Sequence, residues 1–189
     1  MKRIAIFASG NGTNAERIME YFTTNNDVKI ELILSNNPDA GVLQRARKFD
    51  VQKMVFTREE LYKSDKVVDT LLKKGIDFVI LAGFLWLIPL SILKQFPDRI
   101  INIHPALLPK YGGKGMFGHH VHEAVITNKE KLSGITIHYV NEHYDEGNII
   151  FQATCEISDD DTADSLASKI HELEYQHFPV VIEKLISVN

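Results

Sequence analysis

The chain has one cysteine, Cys155. An intramolecular disulfide is therefore impossible and a cystine-stapled scaffold is excluded. No apolar run is long enough to cross a bilayer, because the longest, Phe78 to Leu90, is short and contains Gly83 and Pro89. No acidic or basic block is present either. Lys and Arg number 21 against 25 Asp and Glu, and the formal charge of -4 is spread along the sequence. That distribution argues against a nucleic-acid partner and leaves room only for a local basic cluster around a phosphate. The first residues enter a strand pattern without a basic-plus-apolar leader. With the lone cysteine, this predicts a reducing, cytoplasmic setting and no membrane association. At 189 residues the chain is expected to form one domain over 1–189 that buries about two thirds of its unfolded surface.

What is present is an alternation of strand and helix patterns. Ile4 to Ala8 is an apolar run that breaks at SGNGTN, after which Ile18, Met19 and Phe22 fall at helical spacing. Lys29 to Ser35 repeats the strand, SNNPDAG turns it, and Val42, Ala46 and Phe49 repeat the helical period. A third strand, Lys53 to Phe56, leads into TREELYKSDKVVDTLLKKG, read as one helix with Thr57 as N-cap, Glu60 as its capping-box partner and Gly75 at the stop. Phe78 to Ala82 and Arg99 to Ile103 are strands four and five, with a helical segment starting near Pro89 between them. Short connections of this kind imply parallel pairing and right-handed crossovers, an α/β doubly wound sheet.

After Pro105 the pattern changes. YGGKGMFGHH is glycine-rich and precedes a helical VHEAVITNKE, and Gly134 to Val140 and Asn148 to Ile157 are strands joined by NEHYDEG. That connection is too short for a crossover, so the pair is antiparallel. The last element, Thr162 to Val188, is a long helix with Asp159 to Asp161 ahead of it and Pro179 interrupting it.

The polar residues that break these apolar patterns are the candidates for chemistry. In RIINIHPALLPKY, Asn102 and His104 are two apart in a strand that Pro105 ends. Residues so spaced share a face, here at the strand end where open α/β sheets bind ligands. An amide and an imidazole aimed together can hold a carbonyl oxygen and stabilise what forms there; a turn-capping Asn102 and a hydrogen-bonded core His104 are the alternative. Gly10, Gly12 and Ala15 satisfy a G-x-G-x-x-A pattern between strand and helix. The second strand closes on Ser35, Asn36 and Asn37 rather than on the acidic residue that a dinucleotide ribose requires. Free N–H groups at a helix start, with Asn11, Thr13 and Asn14 as further donors, suit a phosphate monoester; a purely structural turn is the alternative.

Four motifs, SGNGTN, LAGF at Leu81 to Phe84, NIHPALLPKY from Asn102 and YDEG at Tyr144 to Gly147, together resemble the folate-dependent formyltransferase family. The SGNGTN loop favours its phosphoribosylglycinamide branch, and the resemblance runs from residue 1 to about Pro179. It implies a mostly parallel Rossmann-like fold with an antiparallel C-terminal strand pair and a long C-terminal helix. A phosphate-binding half would lie at about 1–100 and a catalytic, folate-binding half at about 101–189. It implies transfer of a formyl group from 10-formyltetrahydrofolate, the co-substrate, to the amine of glycinamide ribonucleotide in purine synthesis. Carried over residue by residue, the catalytic group is Asn102, His104 and Asp145. Phosphate and ribose fall to Gly10, Asn11, Gly12, Thr13, Asn14 and Glu174, where Glu174 could equally be a solvated helix residue. The folate falls to Phe84, Leu85, Trp86, Leu87 and Ile88, with Arg58 toward its anionic end and Val140, Asn141, Asp145 and Asn102 on the other side.

Two departures stand out. Trp86 occupies a place where the family commonly has a polar or basic residue, and the stretch from Gly112 to His120 is longer than the family's compact proline-glycine turn. Lys114 in that stretch can reach a phosphate or carboxylate, and its glycines would allow a lid. His119, His120 and His122 lack a cysteine or carboxylate at ligand spacing, so no metal is expected. His138, His143, His171 and His177 have solvated or packing explanations, and Cys155 reads as a small core residue. The rival functions are formyl transfer to another amine, such as a nucleotide-linked amino sugar, and a non-catalytic dinucleotide-binding module. A monomer or a homodimer is compatible with all of these.

Overall fold

Apolar runs too short to be helices become the strands of the computed structural model, which describes residues 1–188. The chain divides into two compact units, Met1–Ile101 and Asn102–Val188. In the first unit, β1 (Lys2–Phe7) pairs in parallel with β2 (Val28–Ser35) and with β4 (Phe78–Leu81), and β2 pairs in parallel with β3 (Gln52–Val55). The register sets Ile6 beside Ile33 on one side and Ile80 on the other. All three are fully buried, which is why these central strands read as continuous apolar runs rather than alternating ones.

Helices α1 (Thr13–Phe22), α2 (Gly41–Lys48), α3 (Arg58–Tyr62), α4 (Lys66–Lys73) and α5 (Leu90–Leu93) lie between the strands. Each of the longer ones buries an apolar stripe, Ala15, Ile18, Met19 and Phe22 on α1 and Val67, Val68 and Leu71 on α4. The Thr57–Glu60 capping box forms as the sequence requires, with both reciprocal hydrogen bonds present. The single helix expected after it is instead two. The Ser64 hydroxyl donates to the carbonyl of Glu60 at 3.0 Å and accepts from the Lys66 N–H at 3.4 Å, competing with the helical ladder at that point.

In the second unit, β6 (Leu132–Tyr139) and β7 (Ile149–Glu156) are antiparallel, with Thr136 opposite Gln152. Helix α6 (His119–Thr127) precedes β6, and α7 (Ala163–Val188) follows β7. Strand β5 (Ile100–His104) straddles the division, so the strand order is β3-β2-β1-β4-β5-β6-β7, a mostly parallel sheet with an antiparallel C-terminal pair. Pro179 does not interrupt α7, contrary to expectation. A proline removes one ladder hydrogen bond, and burial of Phe178, Val181, Ile182 and Ile186 around it holds the helix through that loss. No helix among the described residues is long and apolar enough to cross a membrane.

Candidate active site

The alternation of β5 puts Asn102 and His104 on one face, and one carboxylate meets both. Asn102 Nδ2 donates to Asp145 Oδ1 at 3.4 Å, and His104 Nδ1 lies 3.5 Å from Asp145 Oδ2. His104 is 3% exposed. Its Nε2 lies 2.7 Å from the carbonyl oxygen of Tyr111, a residue in the left-handed backbone region at φ 57°. Both ring nitrogens of His104 therefore face oxygen acceptors, an arrangement that only the doubly protonated ring fully satisfies. Burial holds the His104 pKa below its ordinary value, against the upward push of the Asp145 charge and the Tyr111 carbonyl. The turn after His104 is held by Thr136, whose hydroxyl donates to the Ala106 carbonyl at 2.7 Å and accepts from the Leu108 N–H at 3.0 Å.

Asp145 comes from the connection between β6 and β7, where it too is left-handed, at φ 57°. A short polar side chain tolerates that conformation better than a branched one. Its Oδ2 accepts the Gly113 N–H at 2.9 Å. The last residue of YDEG is a glycine for a steric reason: a Cβ on Gly147 would stand 1.7 Å from the carbonyl oxygen of Tyr139. Burial pushes the Asp145 pKa up, but His138, the His104 charge and the Gly113 N–H together hold it below its ordinary value. Leu108, Pro109, Gly113, Tyr144, Asp145 and Ile149 line a cleft of about 420 Å³ beside these groups.

A fourth polar residue belongs to this cluster, beyond the packing role that its sequence suggests. His138, on β6 and 2% exposed, brings Nε2 to 3.1 Å from Asn102 Nδ2 and 3.7 Å from Asp145 Oδ1. A signal for it existed in GITIHYV, where a histidine interrupts an apolar strand just as Asn102 and His104 do.

Glu174 is not a solvated helix residue. It is 4% exposed on α7, and its Oε2 lies 2.9 Å from His171 Nδ1, a contact that raises the His171 pKa. His122 on α6 is also buried, and its Nδ1 has no hydrogen-bond partner among the described residues. Burial first, then the neighbouring His171, pulls its pKa down to about 4. His119 and His120 face Glu123 at the surface, at 3.6 and 3.3 Å. No His, Cys, Asp or Glu group among the described residues is arranged to hold a metal ion. Lys114 is exposed, and Val140 and Asn141 are half-buried at the end of β6, where Asn141 Oδ1 accepts the His143 N–H at 2.9 Å.

In the first unit, Gly10, Asn11 and Gly12 form the turn from β1 into α1, and Thr13 and Asn14 open the helix. Gly12 is left-handed at φ 75°, and a Cβ there would meet Val42 at 2.5 Å. Arg45 on α2 ties the turn down, Nε to the Asn11 carbonyl at 2.7 Å and Nη2 to Asn11 Oδ1 at 3.0 Å. Glu16, in the first turn of α1, is paired with Arg45 and with Lys48. The N–H groups of this turn thus keep an electropositive helix start beside a neutralised carboxylate, a setting suited to an anion.

Elsewhere in that unit the Arg58 guanidinium lies over two rings, 5.2 Å from the Tyr62 centroid and 5.5 Å from that of Trp86. Trp86 packs against Phe84 and Phe56, so part of its role is plain packing and part is to carry a cation. Phe84 and Ile88 are buried, Trp86 and Leu87 half-buried, and Leu85 is exposed. The Tyr62 hydroxyl donates to the Leu87 carbonyl at 2.8 Å.

The formyl transferase family model matches residues 2–182. A chloroplastic phosphoribosylglycinamide formyltransferase of Arabidopsis thaliana is 41% identical over 96% of this chain, which spans only 64% of that relative's length. A phosphoribosylglycinamide formyltransferase of Bacillus subtilis is 34% identical over the whole of this chain and 97% of its own. A crystal structure of the phosphoribosylglycinamide formyltransferase from Bacillus halodurans superimposes with a TM-score of 0.88 at 37% identity, covering 98% of this chain and 96% of that one. The architecture around Asn102, His104 and Asp145 and the near-complete match of the family model lead to one conclusion: this chain belongs to the formyl transferase family.

Proposed function

We propose that this chain transfers the formyl group of 10-formyltetrahydrofolate to the amine of glycinamide ribonucleotide, giving formylglycinamide ribonucleotide and tetrahydrofolate. The observation that carries the reading is the convergence of Asn102, His104 and Asp145, an amide, an imidazole and a carboxylate within 3.5 Å of one another through Asp145, in a chain of this family.

The acceptor amine attacks the formyl carbon, and the new C–N bond leaves a tetrahedral intermediate with negative charge on oxygen and positive charge on nitrogen. Asn102 donates to that oxygen and the His104 imidazolium stabilises it electrostatically. Asp145 holds the imidazolium and takes the proton from the amine nitrogen, and as the carbon–N10 bond of the folate breaks a proton is returned to N10. In this reading Gly10, Asn11, Gly12, Thr13 and Asn14 hold the phosphate, and Glu174 accepts from a ribose hydroxyl. Arg58 and the Phe84–Ile88 segment serve the folate, as do Val140 and Asn141. In this reading the formyltransferase domain acts in the cytoplasm, as a monomer or a homodimer.

Purified protein is mixed with 10-formyltetrahydrofolate and glycinamide ribonucleotide, and folate product is followed by absorbance beside a control without the nucleotide. Product that forms only with the nucleotide is the expected result. Formate release without it, or no product in either mixture from folded protein, would overturn the reading.

A further inference from the structure

Two imidazoles flank Asp145, and their surroundings differ in kind. His104 faces an oxygen at each ring nitrogen, the Tyr111 carbonyl and the Asp145 carboxylate. His138 has an oxygen at hydrogen-bond distance at Nδ1, 2.8 Å from the carbonyl of Tyr139, while its Nε2 meets the amide nitrogen of Asn102 at 3.1 Å, with Asp145 Oδ1 farther off at 3.7 Å. A carbonyl oxygen only accepts, so Nδ1 of His138 carries the proton; an amide nitrogen only donates, so Nε2 carries the lone pair. The residue that supplies this carbonyl is anchored through its own N–H, which donates to the Asn148 carbonyl at 2.9 Å.

The lone pair decides which end of the Asn102 amide lies against Asp145. With Nδ2 turned inward, one hydrogen goes to His138 and the other to Asp145 Oδ1 at 3.4 Å. Turned the other way, the amide oxygen would stand 3.4 Å from a carboxylate oxygen and against the imidazole lone pair, two repulsions in a partly buried setting. We propose that His138 is a positioning residue, a neutral Nδ1-protonated imidazole that holds the donor end of Asn102 toward the reacting atoms. This rests on the role given to Asn102 above. The second hydrogen, in a long bond to Asp145, is the one released to the formyl oxygen as charge develops there. The two imidazoles thereby divide the work: His104 takes the charge, and His138 stays neutral and sets a direction.

The test compares His138→Leu, His138→Gln, Asn102→Ala and the His138→Leu/Asn102→Ala double variant by steady-state kinetics, with thermal melts as a check on folding. His138→Leu should lower kcat about tenfold or more while leaving both KM values within about twofold. His138→Gln, whose amide oxygen can accept from Asn102, should recover most of that loss. In the Asn102→Ala background His138→Leu should cost no more than about twofold, because the group it acts through is gone. Unchanged kcat in a folded His138→Leu variant overturns the inference, and so does an equal loss in the Asn102→Ala background. If Asn102→Ala itself leaves kcat unchanged, it is the catalytic reading of Asn102 that has failed. Long-range ¹H–¹⁵N spectra of the unmodified protein supply a readout independent of folding variants: His138 should be the neutral Nδ1–H tautomer, and an Nε2–H or doubly protonated ring overturns the proposal.

Discussion

The Nδ1 atom of His104 lies 3.5 Å from Oδ2 of Asp145, a partly buried pairing that the chain assembles from residues on β5 and on the β6–β7 connection. The carboxylate stands at ion-pair distance from the ring, and removing its charge while keeping the shape isolates its contribution. Asp145→Asn should fold normally, since the Gly113 N–H still finds an oxygen. Its kcat should fall by about a hundredfold or more, because both the imidazolium and the proton acceptor are lost in the transition state. Near-normal turnover in steady-state assays would remove Asp145 from the mechanism.

Two histidines near Glu174 should make stability depend on pH in opposite senses. The folded pKa of His122 is pulled down to about 4, below its unfolded value near 6.5. Between those values the unfolded chain binds the proton and the native one does not, so stability falls as pH drops, by up to about 3 kcal/mol in total. The folded pKa of His171 is raised by Glu174, so its contribution is present below the unfolded value and is lost as pH rises through the folded one. Urea denaturation between pH 4.5 and 7.5 checks the first: His122→Leu should flatten the acid-side loss. A slope that does not change would show that His122 is not the group responsible.

Gly147 has no room for a side chain, since a Cβ would come within 1.7 Å of the Tyr139 carbonyl oxygen. That carbonyl is also the acceptor for His138 Nδ1. Gly147→Ala should therefore cost about 2 kcal/mol or more in stability, and the loop that carries Asp145 should shift with it. Turnover should fall further than the loss of folded protein accounts for, which activity normalised to folded fraction by circular dichroism would reveal.

At the other glycine turn the expected effect is on binding. Gly12→Ala places a methyl 2.5 Å from Val42 in a left-handed backbone at φ 75°, a combined cost of about 2–4 kcal/mol. If this turn holds the substrate phosphate, KM for glycinamide ribonucleotide should rise while KM for the folate stays the same. An equal rise in both would argue for a general loosening of the first unit instead.

The sequence by itself determined what is local. Thr57 and Glu60 are three residues apart, so their capping box needs nothing beyond one helical turn, and it forms. Gly75 stops α4 with φ 61° because only a residue without Cβ enters that region freely. The common face of Asn102 and His104 follows from the two-residue period of a strand, whatever the strand packs against.

The tertiary structure alone decided what depends on the path of the backbone. Asp145 is 41 residues beyond His104 in sequence, and without the likeness to known proteins nothing in its neighbourhood distinguishes it from a solvated turn carboxylate; it meets His104 because β6 and β7 return antiparallel and Gly147 lets their connection close. His138 joins the cluster because β6 follows β5 in the sheet order. Glu174 is buried on α7, a placement its neighbours in sequence do not signal, and α3 ends early because one serine hydroxyl competes with the helical ladder. In each case a residue's role depends on which distant groups desolvate it or accept its hydrogen bonds, and local propensity carries no information about those groups.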